Sequence, residues 1–262
     1  MKKNRTKIGI LLITALLSVT FAGCGKKPEA VITSDGEDLT EASTEYPTLE
    51  VSKAEKFTYE DLVVGSLKYM MTEDTVKEML GAPVSSFESS ETTENSTSQQ
   101  QYAEHVLSYN DMTLIFMPFD GVYKLTAAAS VSSKDAFARG IKVGDKLEDI
   151  QKLFYRDTNC MNNIYMTEDK STELGRFLYG NFTMDDLETV NTKESISYGL
   201  INYSGFSSLE SAETYIVEFT YFDGTYKNGT ASIHDDFAQL AFDMDNSGVI
   251  TGIRWYFYPE EE

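Results

Sequence analysis

Seven stretches of this chain read as β-strands, and three of the connections between them are turns too short for anything except antiparallel pairing. They are Tyr102–Tyr109, Met112–Pro118, Val122–Val131, Ile196–Tyr203, Thr214–Phe222, Ala231–Asp243 and Val249–Tyr258. Asn110-Asp111 and Asp120-Gly121 close the first two connections, and Asn246-Ser247-Gly248 closes the last. Residues of this kind reach the positive φ that tight hairpins require.

Two helices are expected, one ahead of the first three strands and one ahead of the last four. Thr72 is placed to cap a helix running to Leu80, with Glu73 and Asp74 in the first turn, where acids suit the helix dipole. Gly81 stops it and Pro83 follows. A second helix is expected over Leu147–Phe154, and Val76-Lys77-Glu78-Met79-Leu80 aligns with Ile150-Gln151-Lys152-Leu153-Phe154. A Val-Gly pair precedes each copy, Val64-Gly65 and Val143-Gly144. Ser85–Gln101 is rich in Ser, Thr, Glu and Gln and reads as a long mobile loop, and a further short helix is expected near Met184–Thr189. The fold class expected is α+β, with two tandem modules, 57–140 and 141–262, each an amphipathic helix or helix pair packed on an antiparallel sheet.

The run Arg139-Gly140-Ile141-Lys142-Val143-Gly144-Asp145, with the helix and strand meander after it, resembles the SmpA/OmlA class of lipoproteins. It is also similar to the tandem arrangement of the beta-lactamase inhibitor proteins. The resemblance covers about residues 60–260 and implies a protein that binds other proteins without catalysis. The inhibitors are usually stapled by disulfides, which this chain cannot form internally. No inhibitory or assembly residue of either family is matched.

The N-terminus carries a separate signal. Lys2, Lys3, Arg5 and Lys7 precede an almost unbroken apolar run from Ile8 to Phe21. That run is shorter than the roughly 20 residues a membrane helix needs, and it reads as a secretory leader. Phe21-Ala22-Gly23-Cys24 resembles the lipobox of bacterial lipoproteins, with Phe21 where Leu is usual. The resemblance implies removal of residues 1–23 and a diacylglyceryl thioether on Cys24, whose two chains suffice for stable anchoring. The plainer reading is an ordinary leader with a chance cysteine. Residues 24–56 would then be the lipidated Cys24 followed by a polar, disordered tether.

The formal charge is −20. Loss of the leader removes four cations and no acids, so the remainder is more acidic still. Such a chain is a poor ligand for nucleic acid or anionic lipid, because both require a basic footprint. With Cys24 acylated, Cys160 has no partner within the chain and is either buried or paired between chains.

Few residue sets point to chemistry. His105 and His234 are the two histidines, and neither sits in a metal-ligand spacing. A site built from Cys160, a histidine and an aspartate would have suitable residue types, but nothing places them together. Asp243-Met244-Asp245-Asn246-Ser247-Gly248 opens like a calcium loop, yet its twelfth position is Arg254 where a glutamate is needed. A hairpin turn is the simpler reading. The 42 acidic residues make a chance carboxylate pair uninformative. Met70-Met71 and Met112/Met117 read as core fillers.

The aromatic residues say more, with 16 Tyr and 15 Phe. Alternation puts Val249, Thr251, Ile253, Trp255 and Phe257 on one face of the last strand and Arg254, Tyr256 and Tyr258 on the other. In the strand from Thr214, Tyr215, Val217, Phe219 and Tyr221 share the apolar face, opposite Ile216, Glu218 and Thr220. A face carrying Arg254, Tyr256, Tyr258, Ile216 and Glu218 has the composition of a protein-binding surface. The same tyrosines could simply support cross-strand pairing. The expectation is a lipid-anchored protein outside the cytoplasm, non-enzymatic, without metal or cofactor. It would bind a protein or envelope component through open sheet faces. The alternatives are a secreted envelope hydrolase using paired carboxylates and a solute-binding lipoprotein.

Overall fold

A computed structural model describes residues 54–91, 102–157, 164–167, 171–180, 196–204, 206, 208–223 and 236–258. The expected leader, Cys24, Cys160, His234, the short helix expected at 184–189 and the start of the strand expected from Ala231 lie outside the described residues. The strands are β1 (Val63–Val64), β2 (Leu67–Lys68), β3 (Ser85–Glu91), β4 (Tyr102–Tyr109), β5 (Met112–Phe119), β6 (Val122–Ser130), β7 (Ile164–Met166), β8 (Glu173–Tyr179), β9 (Ile196–Asn202), β10 (Thr214–Asp223), β11 (Asp236–Asp245) and β12 (Ile250–Tyr258). Helix α1 spans Glu73–Leu80 and α2 spans Leu147–Leu153.

Both helices begin as local chemistry dictates. The Thr72 hydroxyl accepts the Thr75 N–H, and Gly81 ends α1 at φ 80°. At α2 the Asp149 carboxylate accepts the Lys146 N–H. Each helix fully buries one side chain, Val76 or Ile150. Two such short helices cannot cover a sheet, and that decides the architecture.

The expected α+β fold of two modules, each a helix on its own sheet, is corrected on this point. Among the described residues the chain is mainly β, with one ten-stranded antiparallel sheet ordered β3-β4-β5-β6-β12-β11-β10-β9-β8-β7. Two meanders merge because their last strands pair: Ser130, Ala129, Ala128 and Ala127 of β6 face Ile253, Arg254, Trp255 and Tyr256 of β12. Joining β6 to β12 satisfies two backbone edges that separate sheets would leave bare.

The same backbone arrangement occurs twice around this seam. Met70 N–H donates to the Leu125 carbonyl, and Leu125 N–H to that of Met71; Gly144 N–H donates to Ile250, and Ile250 N–H to Asp145. Thr126 and Thr251 each occupy a β-bulge, and their hydroxyls donate to the Ile115 and Asp243 carbonyls, at 3.3 and 3.1 Å. The counterpart of Gly144 is therefore Met70, at φ 63° against 96°, and not Gly65 as the paired Val-Gly turns suggest. Met70 holds a left-handed conformation that costs a side chain more than it costs glycine.

The helix-side face of the sheet carries the main core. Val76, Ile150, Phe57, Phe116, Phe137, Phe154, Phe219, Phe242 and Trp255 are all buried there. Tyr215, Val217 and Phe219 of β10 point into this core, as alternation predicts. In β12 the bulge resets the parity, so Ile250 is buried while Thr251 is exposed, against the expected alternation. Gly199 of β9 lies beneath Phe219 and Tyr179, where a Cβ would approach ring carbons to 2.8 and 2.9 Å.

Candidate functional site

Backbone register places all five residues expected to bind on the sheet face opposite the helices. Across β6, β12, β11, β10 and β9 one row reads Ala129, Arg254, Ala241, Glu218, Leu200. The next reads Ala127, Tyr256, Gln239, Thr220, Tyr198. Tyr258 lies opposite Phe237, and Ile216 opposite Asp243. The side chain of Tyr258 lies outside the described residues.

Arg254 and Tyr256 are neighbours on β12, but Glu218 and Ile216 stand two strands away, about 10 Å. The residues between them, on β11, were missed by sequence reasoning and do the connecting. Both carboxylate oxygens of Asp243 accept from Arg254 Nη1. Gly252 makes this approach possible, since a Cβ there would sit 3.1 Å from Asp243 Oδ2. Gln239 Nε2 donates to Glu218 Oε2 at 3.5 Å and to Thr220 Oγ1 at 3.4 Å. The Phe237 and Tyr256 rings lie 5.8 Å apart at 30°. The only advance signal was the alternation of β11 itself, which puts Phe237, Gln239, Ala241 and Asp243 on one side.

The face is not open throughout. On its β8–β10 side Phe177, Ile196, Tyr198, Leu200 and Phe222 form a second buried cluster, with Tyr165 and Phe237 packed against it. Thr220, expected on the open face, has no exposed surface. Arg254, Tyr256, Glu218, Ile216, Gln239 and Asp243 are half-buried. Toward β6 the floor is small, with Ala127 and Ala129 beside Tyr256 and Arg254.

The other candidates have structural roles. His105 lies on the helix side, stacked on Tyr123 at 3.5 Å and 12°. Its Nδ1 is 2.8 Å from Glu73 Oε2 and its Nε2 is 3.4 Å from Glu88 Oε1. Burial raises the Glu73 pKa, but hydrogen bonds from Lys77 and His105 more than offset it and hold the carboxyl below 4.5. The set ties α1 to the hairpin of β3 and β4. The calcium-like segment is a hairpin turn, in which Asp245 Oδ1 accepts the N–H groups of Ser247 and Val249 at 2.8 and 2.9 Å. Its first carboxylate, Asp243, is already engaged by Arg254. A shallow hollow lined by Glu60, Lys68, Tyr69, Met70 and Met71 lies beside β2 and touches none of the binding candidates.

Near the start of the fold, the Arg139 guanidinium donates to Asp61 and to the carbonyls of Glu55, Lys56 and Leu153. It also lies 4.2 Å from the Phe154 ring centre. Arg139 of the resemblance-bearing motif is thus committed to holding residues 55–61 against α2.

No protein-family model, no curated protein and no solved structure matches the chain.

Proposed function

We propose that this chain is a non-enzymatic lipoprotein, anchored outside the cytoplasm through Cys24. It would bind a protein or envelope component through the sheet face around Arg254 and Tyr256. The observation that carries the reading is the half-buried band Arg254–Asp243, Tyr256–Phe237 and Gln239–Glu218 on the central strands. Tyr and Arg are the residues that most often dominate interface energy. Here they are held by cross-strand partners before a ligand arrives, which lowers the entropy lost on binding. The lipobox resemblance and the leader support the anchor, and the resemblance to protein-binding lipoproteins supports the non-catalytic reading.

The test is capture from the native envelope with residues 48–262 as bait, so that Glu55 and Lys56 keep their contacts with Arg139. Wild type should retain a partner that Tyr256→Ala and Arg254→Ala lose, with both variants melting like wild type. A partner retained equally by both variants would remove this face from consideration. Intact mass of membrane-extracted protein tests the anchor: loss of residues 1–23 and a gain of lipid mass are expected, and Cys24→Ala should release the protein.

A further inference from the structure

The two edges of the sheet are built differently. β7 is three residues long, and a short edge is one of the usual protections against unwanted pairing. β3 is seven residues long and pairs with β4 in unbroken register, from Ser85 opposite Ser108 to Glu91 opposite Tyr102. Among the described residues it has no second neighbour in the sheet.

Two devices that blunt such an edge are missing from the described strand, while Glu88 and Glu91 supply it with charge. Ser85-Ser86-Phe87-Glu88-Ser89-Ser90-Glu91 contains no lysine and no proline. Its pairing has no bulge, whereas register shifts interrupt β5 with β6, β7 with β8, β8 with β9 and β11 with β12. The outward N–H and C=O groups of β3 therefore form a straight template for another strand.

The side chains beside this template have a defined character. Phe87, on the face shared with Val106 and Ile115, is 46% exposed, and Val84 just before the strand is 73% exposed. Glu88, on the other face, has a side chain 75% exposed. The basic side chains nearby are Lys77, which contacts Glu73, and His105, which contacts both Glu73 and Glu88. The chain as a whole carries −20.

We propose that β3 is a strand-addition site for an extended cationic segment of a partner protein. Main-chain bonds to the free edge supply affinity. A lysine or arginine opposite Glu88 and an apolar residue beside Phe87 supply selectivity. The site is separate from the face around Arg254 and does not depend on that reading.

The probe is a short peptide alternating lysine and valine, added to the full chain, with a glutamate–valine peptide as its counterpart. Amide exchange is read residue by residue. The lysine peptide should slow exchange of alternate amides in Ser85–Glu91 roughly tenfold, and the glutamate peptide should not. Consecutive N–H groups of a strand point alternately toward and away from β4, so one of Ser86→Pro and Phe87→Pro removes an outward donor while sparing the ladder. That variant should abolish the protection. Glu88→Lys, a surface change that leaves the backbone alone, should weaken the lysine peptide and admit the glutamate one. Tyr256→Ala should change nothing. Protection confined to other strands, no protection at all, or protection that survives both proline variants would overturn the proposal.

Discussion

Arg139 and Asp61, separated by 78 positions in the chain, meet fork to fork: Nε to Oδ1 at 2.9 Å and Nη2 to Oδ2 at 2.8 Å. Both side chains are mostly buried, at 19% and 13% exposure. Three carbonyls share the remaining donors, so Arg139→Ala leaves the mostly buried Asp61 carboxylate without its cation and takes a donor from each carbonyl. The expected cost is about 3 kcal/mol, read as a lowered urea midpoint at unchanged slope. Arg139→Lys should recover little of it, because an ammonium cannot reproduce the planar fork. A double-variant cycle with Asp61→Asn should show strong coupling.

Gly199→Ala should destabilise by about 2 kcal/mol, although alanine is the smallest change available. The new methyl would meet Phe219 and Tyr179, which are 0% and 1% exposed and have little room to withdraw. Thermal unfolding is the measurement. A melting temperature equal to wild type would mean that the two rings move aside freely.

Trp255 is the single tryptophan, 1% exposed, and its Nε1 has no hydrogen-bond partner among the described residues. Its emission should be blue-shifted in the native state and move to the red in a single cooperative step. Trp255→Phe removes an unpaired buried donor along with some packing, and these effects oppose each other. The net change should stay within about 1.5 kcal/mol, well short of an ordinary large-to-small core substitution. A much larger loss would show that the indole N–H is satisfied after all.

Acid should loosen the contact between α1 and the hairpin of β3 and β4. The Glu73 carboxyl titrates below its ordinary 4.5 in the folded protein. Its contribution is therefore present above about pH 4.5 and is lost as pH falls through the lower folded value. Glu73→Gln should be less stable than wild type at pH 7, and the gap should close in strong acid. Urea midpoints across that range provide the check, and a gap that widened in acid would reverse the sign argued here.

Local signals were readable before the structure. Tyr102–Tyr109 is β4 to the residue, and Thr72 and Gly81 bound α1 as their chemistry requires. Three features escaped. Ser85–Glu91 has the composition of a loop and becomes β3 because pairing with β4 outweighs weak propensity. β8 lay in a stretch of mixed polarity, and its last three residues, Phe177, Leu178 and Tyr179, are all buried, which removes the alternation that marks a half-exposed strand. The joining of β6 to β12 depends on residues 123 to 129 positions apart, and no local pattern encodes it. The candidate face was readable on β12 and β10, while the position of β11 between them became evident only through the register.

The seam has a consequence for how the chain reaches this state. Strand β6 leaves the ribosome well before its partner β12. Until then Ala127–Ser130 presents a bare backbone edge in the middle of the future sheet. Pairings of such long range form slowly, and exposed edges of this kind are where nascent chains associate wrongly. Truncation just before Ile250 should therefore leave a chain that aggregates, with two sticky edges where the finished protein has a continuous interior.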